Sequence, residues 1–458
     1  MEIFGRSLLS IKKLIAEKKT SSAEVFEFFL QRIKKYDPKI NAFIQTAEKP
    51  VKENQDFLPI SVKDNFCTKG IRTTAGSKIL DNFIPSYDST VVKKLKKANL
   101  KILGKTNMDA WAHGSSTETS DFGPTRNPWN LDYTPGGSSG GSAAAVSAYL
   151  SPASIGSETA GSVRQPAAWC GVLGLKPTYG RISRFGLIAM ASSFDCPSII
   201  ALDTKDCAYL LQILSGKDNL DATSAQKSPA NYFENLEKKE RFRIGVPEEY
   251  FEDVQAEIRE SFEKVRQILE KFGFRFKKIK LIPPDYAISV YTIIQRAEVA
   301  SNLARYDGIR YGRSRRFFGT EAKKRIMLGN FVLSAGYYQA YYLQAQKVRD
   351  RIKLDFEDIF KDIDLILSPV VPSTALKLGE FEKYPFFGEL IDKFNEPAAI
   401  AGVPAISFPV GIDKKGLPLS LQFIADYFQE AKLLNAVYQL QQETNFFEVI
   451  QKGLEKWR

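Results

Sequence analysis

Histidine is almost missing from this chain: 458 residues carry one, His113. That scarcity excludes zinc centres built on several imidazoles and leaves a serine nucleophile without its usual base. Cysteine is scarce as well. Cys67, Cys170, Cys196 and Cys207 lie far apart with no C-x-x-C pair, so neither a thiolate metal cage nor a disulfide framework is expected. Free thiols in a reducing cytoplasm are the expectation, with no metal site. No run of about 18 apolar residues occurs, so no membrane span is expected. The opening MEIFGRSLLSIKKLIAEKKT lacks the long apolar core and small-residue cleavage site of a secretory signal and reads as an amphipathic helix.

Acidic residues are outnumbered: 64 Lys+Arg against 53 Asp+Glu give a net charge of +11. Such a surface can attract RNA or an acidic partner. The basic residues are scattered, however, as in Lys93-Lys94-Leu95-Lys96-Lys97, without a basic tail or an aromatic-and-basic nucleic-acid module. A lysine-rich set of solvated helices is the simpler reading.

Along the chain, Ser21-x-x-Glu24 forms a capping box. It is followed by Val25, Phe28, Phe29 and Ile33 at helical spacing, with a stop at Asp37-Pro38. Residues 1–50 read as docking helices on the outside of a core. From residue 58, short apolar runs (58–62, 100–103, 198–202, 244–246, 363–367, 419–424) alternate with helical stretches (91–98, 206–214, 258–272, 431–442). This pattern predicts an α/β fold on a parallel or mixed sheet. About residues 285–360 read as a helical insertion, including the tyrosine-rich stretch 337–347, able to wall a pocket. Sheet character returns at Ile363, so residues 1–458 are read as one domain.

The segment 136–162, GGSSGGSAAAVSAYLSPASIGSETAGS, is rich in glycine and serine, yet its alanines separate it from a flexible linker. Glycines admit close backbone approach, and hydroxyls supply nucleophiles or relays. The phosphate-loop pattern G-x-x-x-x-G-K-[ST] is absent from it. A serine nucleophile needs a base, and with imidazole so scarce the candidate is a lysine, Lys63, after the apolar stretch 58–62. Lys63 could serve only if burial depressed its pKa. Ser138 would then pass the proton from Ser162 to Lys63, and the Thr159-Ala160-Gly161 turn would aim backbone N–H groups at an oxyanion. Residue types alone leave a loop or phosphate cradle with a solvated lysine as the competing reading.

PGGSSGGS at 135–142, followed by GSETAGSVRQP at 156–166, closely resembles the amidase signature family. The resemblance extends over nearly the whole chain, from Ser61-Val62-Lys63-Asp64 to the C-terminal strands. It implies a mixed central β-sheet sandwiched by helices, and a triad of lysine, a serine in a cis peptide and a nucleophilic serine on Lys63, Ser138 and Ser162. Further stretches (104–109, 114–118, 122–129, 175–181, RYDGIRYG at 305–312 and RIMLG at 325–329) resemble the branch of glutamyl-tRNA(Gln) amidotransferase A subunits. That resemblance implies a glutaminase that supplies ammonia to a partner. The B subunit would amidate Glu-tRNA(Gln) with ATP and Mg²⁺, and a small C subunit would tether the pair. No cofactor is implied on this chain. Glutamine's carboxylate calls for a guanidinium and its ammonium for a carboxylate; matched motifs put these on Arg325 and Asp392, with Tyr291 in the same pocket. The competing functions are a free-standing amidase and a catalytically impaired assembly subunit.

The chain departs from the family pattern in four places. Glu158-Thr159-Ala160-Gly161-Ser162 stands where relatives read Asp-Thr-Gly-Gly-Ser, and alanine would tilt the turn if position 160 needed positive φ. His113 stands for a methionine and is expected to pack or face the pocket rim. The stretch 313–318 is shorter, and Asn395-Glu396-Pro397 replaces Thr-Val-Pro.

Overall fold

Among the described residues, eleven strands build one mixed sheet: β1 (Phe43–Thr46), β2 (Leu58–Lys63), β3 (Leu100–Thr106), β4 (Ala153–Glu158), β5 (Leu173–Lys176), β6 (Cys196–Ala201), β7 (Arg243–Val246), β8 (Arg275–Lys278), β9 (Leu365–Pro369), β10 (Ala405–Ile412) and β11 (Pro418–Ala425). Their spatial order is β1-β3-β2-β4-β6-β5-β10-β11-β9-β7-β8. The computed structural model describes residues 3–48, 56–234, 236–383, 387–445, 453 and 455–458. Positions 1, 2, 49 and 50 of the expected docking segment lie outside the described residues.

Both faces of the sheet are covered. In β9, Leu365 and Leu367 join one apolar cluster and Ile366 the other; in β11, Leu421 and Phe423 face opposite to Ile424. Alternate residues of a strand point to opposite faces, so a strand buried on both sides reads as a continuous apolar run. That is why these two strands were visible in the sequence. β4 was not, because ASIGSE carries glycine and serines where its neighbours press close. β8 was missed because RFKK is a charged edge strand, a common guard against edge-to-edge pairing. β1, β5 and β10 were also unread.

The capping box forms as expected: the Glu24 carboxylate accepts from Ser21 N–H at 2.7 Å, and Ser21 Oγ accepts from Glu24 N–H at 3.2 Å. Val25 and Phe29 are buried, whereas Phe28 is half-buried and Phe26 takes the inward place. The helix does not stop at Asp37-Pro38. It runs Ser22–Ile40, with Pro38 inside its last turn. One lost hydrogen bond there is offset by Asn41, whose left-handed backbone (φ 57°) closes the end on Asp37 O, and by Asp37 Oδ1 accepting from Ala42 N–H at 2.7 Å.

Between β8 and β9 the chain forms helices Pro284–Leu303, Thr320–Leu333 and Gln344–Ile359, with a π-helical turn over Tyr338–Leu343. The predicted tyrosine-rich helix is therefore divided. Ile294, Ile352 and Phe356 bury fully and join Ile366 and Ile424 of the sheet in one cluster. These helices roof that face. Strand structure resumes at Leu365, two residues after the expected start. All four cysteines are free and buried, and burial raises the pKa of each thiol. No helix among the described residues is long and apolar enough to cross a membrane.

Candidate active site

Strand alternation delivers the lysine. In β2, Leu58, Ile60 and Val62 enter the main core, which turns Ser61 and Lys63 to the opposite face. Lys63 ends the strand, opposite Thr106 of β3. Its amine is fully buried and donates to Ser138 Oγ at 2.7 Å, Ser139 Oγ at 2.9 Å and Ser157 O at 3.1 Å. Burial pushes its pKa down from 10.5 to about 7, against the pull of Asp109, Asp195 and Glu158. A neutral amine at physiological pH is thus accessible to this lysine.

Ser138 follows a cis peptide bond from Gly137. That stretch is clamped on three sides. Gly137 N–H donates to Gln165 Oε1 at 2.9 Å, and Thr117 Oγ1 donates to Gly136 O at 2.7 Å. A Cβ on Gly137 would lie 2.1 Å from Asp109 Oδ2. The fully buried helix Gly140–Ser147 begins two residues later. Gly156 of β4 provides the floor: a Cβ there would meet Val163 at 2.7 Å and Ser139 Oγ at 3.0 Å.

Ser162 arrives on the turn after β4. Its carbonyl accepts from Ser139 N–H at 3.0 Å, which binds the two serine segments together. Its side chain is 5% exposed, and among the described residues its hydroxyl makes no hydrogen bond. The N–H groups of Ala160, Gly161 and Ser162 also donate to nothing among the described residues. Thr159 is fixed by its hydroxyl, which donates to Asp195 Oδ1 at 2.9 Å. Ala160 is not in the left-handed region, and its methyl joins the apolar cluster of Phe194 and Tyr291. Alanine is therefore unstrained here.

The three residues expected to bind substrate converge beside this turn. Asp392 ends the helix Phe387–Asp392; its Oδ2 accepts from Ser115 Oγ at 2.8 Å, while the buried Oδ1 has no partner among the described residues. A Cβ on Gly161 would lie 2.0 Å from that Oδ1. Glycine is required at 161 for this close approach. Burial pushes the Asp392 carboxyl up to about 7. Arg325, on Thr320–Leu333, donates from Nε to Glu321 Oε1 at 2.7 Å. Tyr291 is buried with its ring centroid 5.5 Å from that of Phe194, and the charges of Arg325 and Asp392 both act on its hydroxyl, whose pKa burial drives well up.

A buried amine in contact with a serine hydroxyl, joined through Ser139 to a turn that carries a second serine and unpaired N–H groups, is a geometry for acyl transfer. The sequence model of the amidase family matches residues 24–434. The chain belongs to that family. Among curated amidase relatives, the A subunit of glutamyl-tRNA(Gln) amidotransferase from Halothermothrix orenii is 46% identical over 97% of this chain and 98% of its own length. The protein of the same name from Coxiella burnetii is 46% identical over 96% and 98%. The crystal structure of the A subunit of glutamyl-tRNA(Gln) amidotransferase from Thermotoga maritima superposes with a TM-score of 0.87 at 40% identity, covering 97% of this chain and 96% of that one.

Sequence reasoning missed the residues that hold this amidase site in shape. Ser139 shares the lysine with Ser138. Glu158 and Arg164, both fully buried, form an ion pair at 2.6 Å. Glu158 Oε2 also accepts the N–H groups of Val163 and Arg164 at 3.1 and 3.0 Å. Arg164 further donates to Ala160 O at 2.7 Å, Asn395 O at 2.9 Å and Gln422 Oε1 at 2.7 Å. One guanidinium thus ties the turn that carries Ser162 to the segment that carries Asp392. The available signal was a charged pair flanking a glycine–serine turn, with nothing in either charge's own neighbourhood to say it was buried.

Proposed function

We propose that this chain is the glutamine-hydrolysing A subunit of a glutamyl-tRNA(Gln) amidotransferase. What carries the reading is the Lys63 amine, buried and bonded to Ser138 Oγ at 2.7 Å, in a chain similar along its length to proteins of that name. Neutral Lys63 takes the Ser138 proton as Ser138 takes the proton of Ser162. The Ser162 oxygen attacks the carboxamide carbon of glutamine, and the oxyanion forms under the N–H groups of the Thr159-Ala160-Gly161 turn. The relay returns the proton to the departing nitrogen, which leaves as ammonia. Water then opens the glutamyl ester by the same route and releases glutamate. Arg325 holds the α-carboxylate, Asp392 the α-ammonium through its open Oδ1, and Tyr291 closes the pocket.

In this reading ammonia passes to the B subunit, which binds Glu-tRNA(Gln) and uses ATP and Mg²⁺; the C subunit makes up the rest of a cytoplasmic heterotrimer. The chain itself needs no metal or cofactor, and no membrane. The deciding experiment is a glutaminase assay on the full chain with the subunits that co-purify with it. Ser162→Ala should lower kcat by about 10⁴-fold or more, as loss of a nucleophile does elsewhere. Unchanged turnover would remove the reading. Rapid hydrolysis of simple amides, indifferent to partners, would place the chain among free-standing amidases instead.

A further inference from the structure

The mechanism leaves the single histidine unused, yet the backbone delivers it at some cost. Trp111 and Ala112, immediately before it, both sit at φ 62°, in the left-handed region that non-glycine residues avoid. They are held there by Trp111 N–H donating to Ala75 O at 2.8 Å and by the Trp111 ring packing on Tyr306 and Phe318, with centroids 4.7 and 5.6 Å away. Strain of this kind concentrates at functional sites. The His113 side chain it places is 1% exposed, and neither ring nitrogen has a hydrogen-bond partner among the described residues. Buried polar groups are nearly always paired, so two orphans on one ring point to a missing ligand.

The surroundings indicate which ligand. Two residues on, Ser115 holds Asp392. On the other side, a Cβ on Gly329 would lie 2.0 Å from Arg296 O; Arg325 is one helical turn before Gly329, so it approaches the same helix. Burial, helped by the charges of Arg325 and Arg296, holds the imidazole well below its ordinary pKa. The ring is neutral, with one N–H donor and one acceptor.

We infer that His113 is a further substrate-binding residue, donating an N–H to the α-carboxylate of the bound amino-acid amide beside Arg325. The inference rests on the glutaminase reading. A neutral donor adds a hydrogen bond to the carboxylate without repelling the two arginines. It also penalises amides that lack the carboxylate, because they leave the ring unpaired.

The test compares glutamine with 4-aminobutanamide, which lacks only the α-carboxylate, using the full chain with its co-purified subunits. His113→Met should lower kcat/KM for glutamine about tenfold or more, mainly through KM, and change that for 4-aminobutanamide less than twofold. His113→Gln, which keeps a donor and an acceptor, should recover most of the loss; should the Met variant not fold, the Gln variant's own selectivity between the two amides decides. Equal losses on both substrates, or no loss on glutamine, overturn the role of His113 alone. Failure of the wild-type complex to hydrolyse glutamine overturns the glutaminase reading as well.

Discussion

The floor of the site and its roof are built on different terms. The floor comprises the end of β2, the cis turn at Ser138 and the Ser162 turn. Its side chains are buried, its glycines touch neighbours that leave no room for a Cβ, and Arg164 locks it from one side. The roof, helices Pro284–Leu303 and Thr320–Leu333 with the 110–117 loop, carries Tyr291, Arg325 and His113. It also exposes Met327, Leu328 and Phe331 to solvent. In the proposed mechanism, chemistry rests on the end of β2 and the two serine turns beside it, and recognition on helices that pack against the sheet. Rigid elements hold catalytic geometry within the tolerance that proton transfer needs.

On that division, substitutions of the proton-relay groups act on kcat, and those that line the substrate pocket, Asp392 and its neighbour Gly161 included, act on KM. After the nucleophile Ser162 itself, the largest effect should come from Lys63→Met, expected to lower kcat by about 10²–10⁴-fold, the usual worth of a general base. In the wild type, Lys63 must be neutral and Asp392 ionised. Both are held near 7 by burial, so kcat/KM should rise with pH through about 7 and fall on the acid side; a profile flat from pH 6 to 8 would break the assignment of both groups. Asp392→Ala comes next. Loss of a buried ion partner for the ammonium should raise KM for glutamine by about 10–100-fold, and much less for an amide without an amino group. An equal effect on both would return Asp392 to a purely structural role.

The smallest effects sharpen the comparison inside one turn. Gly161→Ala forces a methyl into the space of Asp392 Oδ1, and overpacking of this kind costs about 1–3 kcal/mol; KM should rise about tenfold with a lowered melting temperature. Its neighbour tolerates the reverse change. Ala160→Gly should leave kcat/KM within about twofold and cost only about 0.4–1 kcal/mol, through the freer unfolded chain.

How far the sequence could be read follows the same division. The shortage of histidine and the dense glycine–serine pattern made Lys63, Ser138 and Ser162 candidates, but only the family resemblance favoured them over a loop with a solvated lysine. Arg325, Asp392 and Tyr291 came only from the family resemblance, since one charge on a helix looks like any solvated charge. The Glu158–Arg164 lock and the second lysine contact, Ser139, were illegible because burial of a charge is a tertiary fact. The helix end at Ile40 was misread because proline in a last turn removes one bond without breaking the helix. Ala160 could be judged only once its φ was known.

The four thiols, each enclosed and shifted away from its reactive thiolate form, have a practical consequence. The folded protein should be nearly inert to maleimides and iodoacetamide at neutral pH. A single cysteine introduced on the solvent side of the roof would then accept a fluorophore without competition from the native ones, giving a direct optical report of how that surface responds when glutamine or a co-purified protein is added.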